Sequence, residues 1–292
     1  METLRTLRRR EIAHLFPQRA PSSHKGQNGR VLIIGGSADY YGAPILSATG
    51  ALNSGCDLVY LYVPEYNFDI TRNAAPDFIV KKYSGNYFNI RAAREISNFA
   101  KTCDCALIGP GIGEDESVIN GVVDFLEHVK IPAVLDSNAI YALKKIKNFP
   151  LEQPIVITPH LNEFGRLTDK EFDISDPNEL ERKKIMYMQM ISKELHINIV
   201  LKGKDDYISS DDGEISKNIT GNAGMTVGGT GDVLSGFIAS LIAQGANIIN
   251  ACKIAVFTNG LAGENLFKRK HYCYTASDLA AEIPFVIKSL RD

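Results

Sequence analysis

The chain has 292 residues, 45% hydrophobic and 23% charged, with 32 basic against 34 acidic side chains and a formal net charge of −2. This is a globular composition, long enough for one large core, and it lacks the basic excess of a nucleic-acid binder. Five cysteines with no CxxC pair and no neighbouring histidine pattern argue against a disulfide framework or a zinc site, and they read as buried reduced thiols.

Residues 1–27 are charged and carry no apolar run, so no signal peptide is expected and the cytoplasm is the predicted compartment. RVLII at 30–34 predicts a strand that ends at Gly35-Gly36, with a helix over 43–54 and a second strand over 58–63. A strand over 106–108 ends at Gly109-Pro110-Gly111-Ile112-Gly113, and one over 133–135 ends at Asp136-Ser137-Asn138, before a helical stretch to 147. Asp136 and Ser137 there read as capping residues. A strand over 155–157 ends at Thr158-Pro159-His160, and one over 197–201 ends at Lys202-Gly203. Tyr207 to Asn218 has the strand–Asp-Asp-Gly–strand pattern of a β-hairpin. The short basic runs at 144–147 and 182–184 sit beside helical patterns and read as solvated faces. Residues 233–252 carry no charge and are about as long as a membrane span. Ser235, Gly236, Gln244, Gly245, Asn247 and Asn250 interrupt them, which predicts a buried helix and its exit turn.

Strand, special loop and helix in repetition predict one α/β domain, with a central, mostly parallel sheet and helices on both faces. The informative polar residues follow the strands, where open α/β sheets place their ligands. The richest stretch is 221–236, in which Gly228, Gly229, Thr230 and Gly231 precede Asp232 and a long helix. Large apolar residues of that helix form one stripe and small ones fill the rest, so it should lie deep. A deep helix start leaves N–H groups unpartnered, glycines permit close approach, and the dipole favours an anion. A carboxylate there competes with an anion unless Asp232 takes the proton of a substrate hydroxyl while the amides hold phosphoryl oxygens. The alternative is a simple cap and turn. No Gly-x-x-x-x-Gly-Lys-Ser/Thr loop occurs, and no GxGxxG follows the strand over 30–34, which disfavours P-loop and dinucleotide-binding folds.

The Gly-rich turn ending in Gly231-Asp232 resembles that of the ribokinase-like superfamily. With it come 24–30 (HKGQNGR), Gly42-Ala43-Pro44, 109–113, 158–163 (TPHLNE) and Leu201-Lys202-Gly203, in that order. Together they are similar, over about residues 24–290, to the ADP/ATP-dependent NAD(P)H-hydrate dehydratases. The resemblance implies a domain over 24–292, a short extension over 1–23, and no fused epimerase domain. It also implies a reaction: the C6 hydroxyl of hydrated NADH or NADPH (the S epimer) is phosphorylated by ADP or ATP with Mg²⁺, then lost as phosphate. A separate epimerase would serve the R epimer, and family members commonly form tetramers.

By position, the resemblance makes Asp232 the base and Gly228, Gly229, Thr230 and Gly231 the anion hole. Lys202, Gly203, Lys204, Asp205 and Asp206 join Gly231 along the nucleotide. Ala43, Gly111, His160 and Asp232 line the hydrate pocket, and Glu163 organises Mg²⁺ through water. On the residues alone, Lys202 is equally a strand-end surface lysine, His160 an imidazole bonded to its own loop, and Glu163 an acid of a first helical turn. Asn138 and Asn259 depart from the family pattern, which has an acid and a histidine there. A vitamin or sugar kinase of the same fold, and a nucleotide-binding regulatory module without turnover, are the competing expectations.

Overall fold

The computed structural model describes residues 4–292. Its strands are β1 (Arg5–Thr6), β2 (Arg30–Ile34), β3 (Leu58–Pro64), β4 (Ile79–Tyr83), β5 (Cys105–Ile108), β6 (Ala133–Leu135), β7 (Ile155–Ile157), β8 (Asn198–Leu201), β9 (Asp206–Ser209) and β10 (Ile215–Asn218). They form one sheet in the order β1-β10-β9-β8-β7-β6-β5-β2-β3-β4. Only β9 runs against the others, because the Asp-Asp-Gly turn folds β9 and β10 into the expected hairpin. The central strands are continuous apolar runs, as two covered faces require.

Two cores result. Val31 and Ile33 of β2 point into one, Leu32 and Ile34 into the other, following the two-residue alternation of a strand. The first face carries α1 (Arg9–Ala13) and α2 (Gly42–Asn53), and α3 (Phe68–Arg72) lies beside β4. The second carries α4 (Ile90–Ala100), α5 (Glu116–His128), α6 (Leu161–Thr168) and α7 (Pro177–Leu195). The chain then returns to the first face with α8 (Thr230–Ala243), α9 (Ile248–Lys270) and α10 (Ala276–Arg291).

The predicted deep helix is α8, in which every residue from Val233 to Ala243 is buried. It crosses α2 at close range because glycines face backbone on both sides. A Cβ on Gly50 would lie 2.5 Å from the Val233 carbonyl oxygen, and one on Gly236 would overlap the Ser47 carbonyl oxygen. Gly236→Ala should therefore force α2 from α8 and cost about 3 kcal/mol. Denaturant unfolding would read this as a lower midpoint with unchanged slope, and an unmoved midpoint would contradict the packing.

Two expectations need correction, the capping role of Asp136 and the burial of Cys273. The stretch after Asp136 is a 3-10 helix over Ser137–Lys144, entered through a left-handed Ser137 (φ 52°). Asp136 makes no capping bond with it; its carboxylate is used elsewhere. Cys273 is exposed, whereas Cys56, Cys103, Cys105 and Cys252 are buried, and all five are free. Within the extension before residue 24, β1 pairs with β10, and Ile12 and Phe16 enter the first core. Among the described residues no helix is long and apolar enough to cross a membrane.

Candidate active site

The strand order reverses at β2, which lies between β3 and β5, and the loops after β2 and β5 open a crevice there. The Gly36 amide donates to the Pro110 carbonyl at 2.9 Å, locking the two loops together. Gly111, at φ +61°, stands so near the first loop that a Cβ would be 2.6 Å from the Tyr40 oxygen. A side chain there would close the entrance.

The start of α8 faces this crevice. Gly229 (φ +96°) turns the chain into the helix, and a Cβ on it would overlap Leu46. The Thr230 hydroxyl donates to the Met225 carbonyl at 2.8 Å and fixes the turn. The first bonded amide is that of Val233, which donates to the Gly229 carbonyl at 3.1 Å. No side chain caps the helix, so the amides before Val233 remain available to a ligand.

Two cavities meet at this point. One, of about 480 Å³, is walled by Lys202, Gly203, Lys204, Asp205, Asp206, Thr230 and Gly231. The other, of about 1120 Å³, is walled by Ala43, Gly111, His160, Glu163 and Asp232. Every residue expected along the nucleotide thus lines the first, and every residue expected around the hydrate lines the second. Adjacent residues of one helical turn, Gly231 and Asp232, face different cavities. Of the expected anion-hole residues, Thr230 and Gly231 form cavity wall, whereas Gly228 is exposed and Gly229 supplies the turn.

The charges explain how Asp232 is tuned. Lys202 follows β8, and its ammonium pairs with Asp136 at 2.9 Å, with the Thr158 hydroxyl donating to the same carboxylate oxygen at 2.8 Å. Its side chain is 20% exposed and that of Asp136 is 5% exposed, so this is a buried pair and not a surface lysine. Burial acts to lower the Lys202 pKa, but the carboxylates of Asp136, Glu163 and Asp232 outweigh it and hold it above the ordinary value. Asp232 is pushed up to about 7, chiefly by burial, then by Asp136 and Glu163, against the pull of Lys202. In the first cavity, Asp206 rises to about 6 through burial, offset by the Gly203 amide and the Asn218 carboxamide.

His160 is the N-cap of α6. Its Nδ1 accepts from the amides of Asn162 (3.1 Å) and Glu163 (3.3 Å), while Glu163 Oε2 accepts from the His160 amide at 2.8 Å. An Nδ1 that accepts places the proton of the neutral ring on Nε2, which lies 3.3 Å from Glu163 Oε1. The loop-bonded reading of His160 and the first-turn reading of Glu163 therefore both hold, and both residues still line the second cavity. Glu163 is committed to the cap, and among the described residues no three His, Cys, Asp or Glu side chains gather to hold a metal. A Mg²⁺ ion needs only one or two carboxylates beside phosphate oxygens and water, and Glu163, held in the cap, would organise it through water.

Reading the sequence misses Asp136 as a site residue. It sits at a strand end, like the others, and that position was the available signal. Asn138 donates to the Gly113 carbonyl at 2.9 Å, bracing the loop after β5, and Asn259 lines the first cavity.

The family described as NAD(P)H-hydrate dehydratase matches residues 31–285. The chain is 37% identical over 280 residues to the ADP-dependent (S)-NAD(P)H-hydrate dehydratase of Cenarchaeum symbiosum, covering 95% of each. It is 37% identical over 275 residues to the bifunctional NAD(P)H-hydrate repair enzyme Nnr of Methanothermobacter thermautotrophicus, covering 93% of this chain but 52% of that protein. It thus spans about half the length of the bifunctional relatives. The ADP/ATP-dependent NAD(P)H-hydrate dehydratase of Bacillus subtilis, co-crystallized with ATP/Mg²⁺, superposes with a TM-score of 0.84 at 27% identity, covering 99% of this chain and 100% of that one.

Proposed function

The chain belongs to the NAD(P)H-hydrate dehydratase family, and from that premise we propose that it restores NADH or NADPH from the S epimer of the hydrate in the cytoplasm, using ADP or ATP. The observation that carries this reading is the shared helix start. Gly231 faces one cavity and Asp232 the other, so a nucleotide and a hydroxyl compound can approach one turn of α8 from two sides.

The chemistry follows from that placement. Asp232 takes the proton of the C6 hydroxyl, whose oxygen bonds to the terminal phosphorus of the nucleotide as the phosphoanhydride bond breaks. The amides of Thr230 and Gly231 hold the phosphoryl oxygens, and the Lys202 ammonium adds positive charge beside them. Hydroxide leaves poorly, whereas phosphate leaves well. The C6–O bond then breaks with help from the ring nitrogen, and loss of a proton from C5 restores the double bond. His160 and Gly111 shape the hydrate pocket, and the R epimer reaches it only after a separate epimerase acts. Mg²⁺, if bound with the nucleotide, would be organised by Glu163 through water and would supply positive charge beside the phosphates.

In the test, the near-ultraviolet absorbance of reduced nicotinamide is followed while hydrated NADH or NADPH is offered with ADP, ATP or neither. Recovery should need protein and nucleotide together. Recovery without nucleotide, or no recovery with either donor, would remove the reading. A base must be unprotonated, so kcat/KM should fall tenfold per pH unit below about pH 7, where Asp232 titrates. A profile flat to pH 5 would assign the proton transfer elsewhere.

A further inference from the structure

We infer that Asn218 is a positioning residue for the nucleotide: from behind the 480 Å³ cavity it holds two of the cavity's walls, the loop 202–206 and the segment 219–226, in register with each other. The inference rests on the nucleotide use proposed above and adds a residue that touches neither nucleotide nor hydrate. Asn218 ends β10, is 0% exposed, and stands directly across from Asp206, the first residue of β9. Residues paired across two antiparallel strands point to the same face, and here one is a carboxylate and the other a carboxamide. Asn218 Nδ2 donates to Asp206 Oδ2 at 3.1 Å, and Asp206 Oδ1 accepts from the Gly203 amide at 3.0 Å. The carboxylate thereby closes the loop after Lys202 onto the strand that follows it.

The other end of the carboxamide is used as fully. Asn218 Oδ1 accepts from the Thr220 hydroxyl at 2.9 Å, and that hydroxyl also lies 3.2 Å from the Phe257 carbonyl of α9. Further along the same segment, the Met225 carbonyl accepts from the Thr230 hydroxyl and so fixes the start of α8. One side chain therefore links the loop that carries Lys202 to the segment that sets the amides of Thr230 and Gly231. The phosphates must meet the ammonium and those amides together, so an error in their spacing weakens binding. A strand end with no further role would need no carboxylate, because an apolar pair fills such a position without burying a charge. Burial pushes Asp206 up to about 6; the Gly203 and Asn218 donors and the Lys202 ammonium hold it from rising further, and Asp205 acts against them.

Calorimetry with ADP on the full chain, beside KM values for nucleotide and hydrate, tests this. Asn218→Ala should bind ADP about tenfold more weakly, the loss of a hydrogen bond to a charged group. Its KM for the hydrate should stay within about twofold, because the hydrate cavity shares neither wall. Asn218→Asp sets two carboxylates face to face and should bind ADP no better. Exchanging the pair, Asp206→Asn with Asn218→Asp, restores these bonds with one direction reversed. The carboxamide at 206 still accepts from Gly203 and now donates across the strands, and the carboxylate at 218 accepts from it and from Thr220. This exchange should return ADP affinity to within about threefold of wild type. Because it leaves no group unpaired, it is read even where a single variant folds poorly. An alanine variant with wild-type affinity for ADP overturns the inference, as does one that loses nucleotide and hydrate binding alike. An exchange variant as weak as the single ones would mean that the Asp206 charge meets the nucleotide itself, which also overturns it. A wild type that binds no adenine nucleotide overturns the proposed activity instead, and wild-type binding is measured first.

Discussion

Asp232→Asn should lower turnover by about three to four orders of magnitude while leaving the ADP and ATP dissociation constants within a few fold. The carboxylate accepts no hydrogen bond from a described side chain, so its removal breaks no structural contact, and the cavity it faces is not the one walled by Lys202 and Gly231. Only the proton transfer is lost. The same variant should be more stable than wild type at pH 8. In the folded chain Asp232 keeps its proton to about pH 7, whereas an unfolded aspartate releases it near about pH 4. Below pH 4 both states are protonated and nothing is gained. Between about pH 4 and about pH 7 only the unfolded chain has released the proton, so the wild type loses stability relative to the variant across that window and the difference levels off above it. Melting temperatures of both proteins between pH 4 and 8 check this. Parallel curves would mean that Asp232 is not perturbed, and near-normal turnover would end its assignment as the base.

Lys202→Met should cost about 4 kcal/mol of stability, since it strands the 5%-exposed Asp136 carboxylate without its cation. The Thr158 hydroxyl remains but is neutral. It should also raise the Asp232 pKa further, because Lys202 is the group that holds it down. The acid limb of the pH profile would then move to higher pH. Asp136→Asn gives the opposite shift, because it removes the largest repulsive charge beside Asp232. A Lys202→Met protein with unchanged melting temperature and pH profile would show the pair to be a surface contact of no consequence. The expected direction for each variant is set by charge alone.

The central sheet and the two glycine-rich turns were legible in the sequence because buried parallel strands are short apolar runs and their ligand loops follow at once. β2, β6 and β7 were predicted to the residue. β1 was not, since a two-residue edge strand has no pattern of its own and is made by β10. The helical stretch after Asp136 was legible, but spacing alone does not tell its 3-10 form from an α-helix. At the site, Asp232 and the glycines were readable because their chemistry is local. The Asp136–Lys202 pair was not: 66 residues separate its members, and only β6, β7 and β8 lying side by side bring them together. For the same reason Asp136 was taken for a cap and Lys202 stood evenly between surface and site. Asn259 was visible only as a departure from the family pattern; its place in the cavity wall belongs to the packing of α9.

Counting inorganic phosphate against restored NADH in one reaction tests the joint role of Asp232 and the α8 amides most directly. One phosphate should appear for each reduced nicotinamide recovered, with neither product formed by Asp232→Asn. Recovery that releases no phosphate, or a phosphoester that accumulates while the absorbance stays flat, would contradict it.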